Sequence, residues 1–286
     1  MTAVTLGRHD HGASTGGRAF GGVLVAYRGE LFKLLAERRT WLGIATASIG
    51  PIIYLLLELA QGPPGAPLAD NLGHTGVGFS LVVFKLIAVF GPAVIASLVA
   101  GDIVASEITD GTLKTALTRS ITRTQLLLGK LLALYTYLLL AMAVFFVVST
   151  IGGVIAWGFH PLLNISGHRI SALHALGLDV PALLVYCMPV IAIASFGFFL
   201  SVATGQSVAA VGGTVIYAMS LQGIAAISSI KGAHPYLLTN QLTAWHDLFT
   251  TPTGGALILR SAWVSAAFSL PPVLAALYVF HRRDVT

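Results

Sequence analysis

Charge is what this chain has least of. Of its 286 residues only 9% are Asp, Glu, Lys or Arg, against 56% hydrophobic, and mean hydropathy is +0.85. A soluble domain carries about 25% charged residues, so a water-exposed globule is excluded. Each bilayer helix takes about 20 apolar residues, and the length allows roughly five to seven spans with little left for a soluble domain. Cysteine is limited to Cys187 inside an apolar run, which excludes an internal disulfide and a cysteine metal site. No G-x-x-x-x-G-K-[ST] occurs, and the Gly129-Lys130 pair is followed by Leu131, so no phosphate-cradling loop exists and the chain does not hydrolyse ATP by itself. The first twenty residues lack an apolar core of about 7 to 15 residues, and no cleaved signal is expected. The basic excess of +5 is spread over separate inter-helix segments, which fits membrane topology and not nucleic-acid binding.

What is present reads as an all-α integral membrane protein. Residues 1–18 are expected to form a flexible cytoplasmic tail. Residues 19–40 form an amphipathic interfacial helix: Phe20, Val23, Leu24, Tyr27, Leu31, Leu34 and Leu35 recur at helical spacing, with Glu30, Lys33 and Glu37 on the other side. Residues 41–286 form the membrane domain, with six spans at about 41–60, 79–100, 126–157, 181–203, 207–230 and 261–280. A kink is expected at Gly91-Pro92, a loop over 158–179, a tight turn at Thr204-Gly205-Gln206, and short re-entrant helices between spans five and six. Thr122-x-x-Gln125 fits a capping box opening the third span.

With both ends inside, the inner segments hold twelve Lys and Arg and the outer three, with Lys85 in a span. This bias places both termini and the polar stretch 101–125 in the cytoplasm. Within that stretch a helix sets Glu107 on its more apolar side, where a carboxylate wants a cation. Arg119 and Arg123 are near enough in sequence to return to it; the alternative is three solvated charges on an inner loop. Leu113, Ala116 and Leu117 make a small apolar ridge suited to a partner groove. Glu58 and Lys85, both ionisable within spans, are candidates for an ion pair bracing an outer gate, or else both snorkel to the interface. Six histidines fall on the outer side without tight ligand spacing, and no metal site is expected.

Glu107-x-x-x-Gly111-Thr112-Leu113, then Thr118-Arg119-Ser120-Ile121-Thr122-Arg123, then Leu128-Gly129-Lys130 resembles the signature of ABC-2 type transporter permeases. That signature runs E-x-x-x-G-T-L, P-[IV]-S-R, L-G-K after the second of six spans. Ser120 stands where the family usually has proline, and Thr122 where it has serine. The resemblance implies the membrane subunit of an ATP-driven exporter in the cell membrane. It implies docking of a separate ABC-type ATPase on the cytoplasmic stretch, with Glu107, Gly111, Thr112, Leu113, Arg119 and Arg123 as coupling residues. It further implies two ATPase copies carrying ATP and Mg, no cofactor on this chain, a second permease copy, and a drug, antibiotic, peptide or lipid as cargo. An ATP-independent secondary transporter or channel is the alternative, which internal repeats or mid-membrane charges would favour. A catalytic set within the spans is not found.

Overall fold

The computed structural model describes residues 15–61, 75–87, 91–111, 122–227, 232–250 and 254–282. Apolar residues at helical spacing dominate these stretches and they fold as helices: α1 (Thr15–Ala36), α2 (Arg38–Gln61), α3 (Gly76–Ile87), α4 (Gly91–Asp102), α5 (Ala105–Thr109), α6 (Arg123–Trp157), α7 (Ala172–Thr204), α8 (Ser207–Ala225) and α9 (Ala256–Arg282). Before α7 a small antiparallel hairpin pairs β1 (Leu162–Leu163) with β2 (Arg169–Ile170), Leu162 facing Ile170. Two 3₁₀ segments, His234–Tyr236 and Leu238–Phe249, precede α9.

Among the described residues five helices are long and apolar enough to cross a membrane: Thr40–Ala60 within α2, then α6, α7, α8 and α9. Of the expected second span at 79–100 the described residues form α3 and α4, twelve residues each, and residues 88–90 lie outside them.

α7 is the most buried of the five long helices and α2 the least. Around α7 the core is aromatic at one level: Phe84 of α3 stacks on Tyr186 of α7 at 4.5 Å and on Phe145 and Phe146 of α6 at 5.6 and 5.7 Å. The 3₁₀ helix Leu238–Phe249 is the length of a short α-helix, unusual for this geometry. It buries Leu238, Leu242, Trp245 and Phe249 against α7 and α9. On the exposed side of α2, Ile49, Ile52, Ile53, Leu56 and Leu57 are uncovered, as a helix facing hydrocarbon requires.

The connection before α7 differs from expectation. The loop expected over 158–179 ends eight residues early, because Ser171 caps α7 by accepting the amide of His174 at 3.3 Å, and Asp179 falls inside the helix. Arg169, expected in the same loop, lies in the hairpin. At the other end of α7 the chain turns where the sequence predicts. Thr204 ends the helix, Gly205 takes φ 64° and Ser207 begins α8.

Candidate functional site

α4 ends at Asp102, and after a two-residue break the chain resumes as α5. Such a break frees backbone groups that must find partners when buried. Here the partner is Ser201 on α7. Its buried hydroxyl accepts from Ala105 N at 2.9 Å and Val104 N at 3.3 Å, and donates to Gly101 O at 2.8 Å. The elbow is thereby fastened to the central helix. α5 then runs one turn and stops, with Asp110 N bonded to Ser106 O and Gly111 at φ 69°. That left-handed backbone favours glycine because other L-residues bring Cβ against the following carbonyl.

α5 turns Ala105 and Glu107 inward, leaving Glu107 6% exposed. Two lysines meet it. Lys33 Nζ of α1 lies 2.5 Å from Oε1, and Lys130 Nζ of α6 lies 2.8 Å from Oε2. Lys130, itself 1% exposed, also holds Glu30 of α1 at 2.7 Å. Two carboxylates and two ammonium groups on three helices thus form a charge-balanced junction. Burial alone would raise the Glu107 carboxyl, but the Lys130 charge and hydrogen bond, followed by Lys33, hold it below the ordinary glutamate range. For Lys33, burial acts downward, yet the bond to Glu107 and the charges of Glu107, Glu30 and Glu37 leave it raised. The depressed carboxyl contributes stability above the ordinary glutamate range and loses it as pH falls through its lowered value. The raised ammonium contributes below the ordinary lysine range and loses it as pH rises. Between those ranges both stay charged.

The approach of α1 to α6 is set by Gly129. A Cβ there would stand 2.6 Å from Ala26 Cβ and 2.8 Å from Tyr27 N. Only glycine lets the two helices come this close, and the next residue, Lys130, is the one that reaches Glu30 and Glu107. About two turns beyond Gly129, Tyr27 Oη and Thr136 Oγ1 are hydrogen-bonded at 3.1 Å. The start of α6 is fixed by the predicted capping box: Thr122 accepts from Gln125 N at 3.3 Å, and Gln125 Oε1 accepts from Thr122 N at 2.9 Å.

Of the residues singled out in the sequence, Glu107 and Gly111 lie at this junction and Arg123 opens α6. Thr112, Leu113 and Arg119 lie outside the described residues. Among the described residues Lys33 and Lys130 meet the two Glu107 oxygens; Arg119, which the sequence offered with Arg123 as a partner, lies outside them. The signals for the two lysines were present: Lys33 on the polar side of the amphipathic helix, and Lys130 closing the Leu-Gly-Lys triplet. Ser201 was missed, and a serine in an apolar run gives no warning of its role.

The Glu58–Lys85 pair is not formed. Glu58 is buried and accepts the hydroxyl of Tyr54, one helical turn back on the same face of α2, while Lys85 is exposed at the end of α3. Lys85 instead bears on His246: burial first, then the Lys85 charge, push that imidazole down to about 4 against the opposing pull of Asp247. Among the described residues no three His, Cys, Asp or Glu side chains are grouped to hold a metal ion; His74 lies outside them.

No curated protein matches the chain. Over residues 65–286, well over half of its length, it matches the family described as "Protein of unknown function (DUF2705)". That stretch takes in α3 to α9, including Glu107 and Lys130, and the chain belongs to this family.

Proposed function

We propose that this chain is the membrane-spanning permease subunit of an ATP-driven exporter, of the ABC-2 type that its motifs resemble. The observation that carries the reading is the meeting of Glu107 and Lys130 at 2.8 Å. They belong to the first and third parts of the motif, 23 positions apart in the numbering, and α1 closes on both through Lys33 and Glu30. A push on the segment following α5 has a stiff route inward, through Glu107 and Lys130 to α6 and through the Ser201 hydroxyl to α7.

In this reading α3 and α4 together make the second of six crossings, and the Lys and Arg bias puts both termini and the junction on the cytoplasmic side of the cell membrane. The chain lacks a phosphate loop, so the ATP and Mg belong to two copies of an ABC-type ATPase, which dock on Gly111-Thr112-Leu113 and neighbouring residues. Two permease copies enclose the pathway. Its apolar, scarcely charged helices suit a drug, antibiotic, peptide or lipid. α1, rich in exposed apolar residues such as Phe32 and Val25, lies along the inner interface.

Placing a charge on the apolar ridge tests the docking assignment. Purified from its native membrane, the wild-type chain is expected to retain an ATP-hydrolysing subunit, and a Leu113→Asp chain of unchanged thermal stability to lose at least nine-tenths of it. Equal retention by both would overturn the assignment of this segment.

A further inference from the structure

α7 carries a single acidic residue, far from the junction. Asp179 is 0% exposed, and among the described residues neither of its carboxyl oxygens has a hydrogen-bond partner. Its surroundings follow from its place on the helix. Ala172, Ala175, Asp179, Ala182 and Tyr186 recur at three and four spacing and form one buried stripe. At the start of the stripe Ala172 and Ala175 pack with Val77 and Val82 of α3 and Leu162 of β1. At its end the Tyr186 ring stacks on Phe84 of α3 and its hydroxyl donates to Phe84 O at 3.5 Å. Asp179 lies between these contacts, on the seam where α3 closes on α7.

Among the described residues the ionisable groups near this end of α7 are occupied elsewhere or apart from it. Lys85 on α3 is exposed. Asp247 of the 3₁₀ helix accepts the amide of Leu257, and Glu58 of α2 accepts from Tyr54. His246, Arg260 of α9, Arg169 of β2 and His174 on α7 itself form no ion pair with Asp179. Glu107 and Lys130 belong to the far end of the helix: Ser201, which holds their elbow, is 22 residues along, about 33 Å at the α-helical rise. An ionised carboxylate isolated from water and from any cation is so costly that the group takes up a proton instead. Even the neutral acid forgoes hydrogen bonds it would make in water, at about 1–3 kcal/mol for a buried polar group left unpaired.

We propose that Asp179 is a proton-binding site, loaded while α3 and α7 are closed on each other and emptied when that seam opens to water. On opening, the carboxyl O–H bond breaks, the proton passes to an entering water as hydronium, and the carboxylate remains hydrated. The closed seam binds one more proton than the open one, so rising pH favours opening. The device is independent of any ATPase and goes beyond the exporter reading.

The full chain in detergent micelles provides the test. Dicyclohexylcarbodiimide reacts with protonated carboxyls in apolar surroundings, and peptide mass spectrometry locates the adduct. The expected result is an adduct at Asp179 that falls with rising pH, about tenfold for each unit past its midpoint. Melting is followed alongside it: above the ordinary aspartate range the wild-type chain is expected to lose stability relative to Asp179→Asn as pH rises. Absence of an adduct at Asp179 at every pH, an adduct confined to Glu58, or pH–melting profiles that superpose for wild type and variant would each overturn the proposal. If Asp179→Asn does not fold, the labelling of the wild-type chain decides alone.

Discussion

Lys130→Met is expected to release α1 from the rest of the molecule. Methionine keeps much of the length and apolar volume of the lysine stem but removes the cation that serves both Glu30 and Glu107. Among the described residues Glu107 keeps Lys33, whose side chain is 46% exposed and whose attraction is correspondingly screened. Removing one partner of a buried pair costs about 3–5 kcal/mol, because the remaining charge is left without compensation. Replacing the Glu107 carboxylate as well, with glutamine, removes part of that penalty, so the double variant is expected to be more stable than the sum of the two single losses. Denaturant melts of the four proteins in one detergent give the coupling directly. Additive losses would mean that the 2.8 Å contact contributes nothing.

Gly129→Val is expected to separate the same helices by shape alone. Its Cβ would meet Ala26 Cβ and the Tyr27 backbone well inside contact distance, and the backbone nitrogen cannot yield as a flexible side chain does. α1 must move outward, drawing Glu30 away from Lys130. Overpacking of this kind costs about 1–3 kcal/mol. Gly177 of α7 is the control, since a Cβ there meets nothing within 4 Å, and alanine at that position is expected to be neutral or stabilising through helix propensity. Hydrogen exchange along α1 distinguishes the two: its amides are expected to exchange at least tenfold faster in Gly129→Val and unchanged in Gly177→Ala. Equal protection in both would show that α1 is not seated on α6 through this glycine.

The parts of the fold legible in the sequence are those fixed by local chemistry. The Thr122–Gln125 capping box, the Thr204–Gln206 turn and the amphipathic pattern of α1 each depend on a few adjacent residues. The start of α7 was not legible, because Ser171 and His174 look like loop residues until the hydroxyl is seen to cap the helix. Tertiary pairings were least accessible. Lys33 meets Glu107 across 74 positions and Lys130 meets Glu30 across 100. Helical patterning showed which side of each helix is buried, but not which buried sides touch. Glu58 teaches the converse. An expected partner on another helix lost to Tyr54 four residues away, because a neighbour on the same helical face needs no tertiary arrangement to be in reach.

The exporter reading depends most directly on whether this chain works with an ATPase. The decisive measurement is nucleotide hydrolysis and transport by the chain purified from its native membrane and reconstituted into vesicles. The account predicts that an ATP-hydrolysing subunit accompanies the chain in equal amount and that movement of cargo across the vesicle membrane requires ATP. A chain that purifies alone and moves its cargo without nucleotide would contradict it, and would make the protein a self-sufficient transporter or channel.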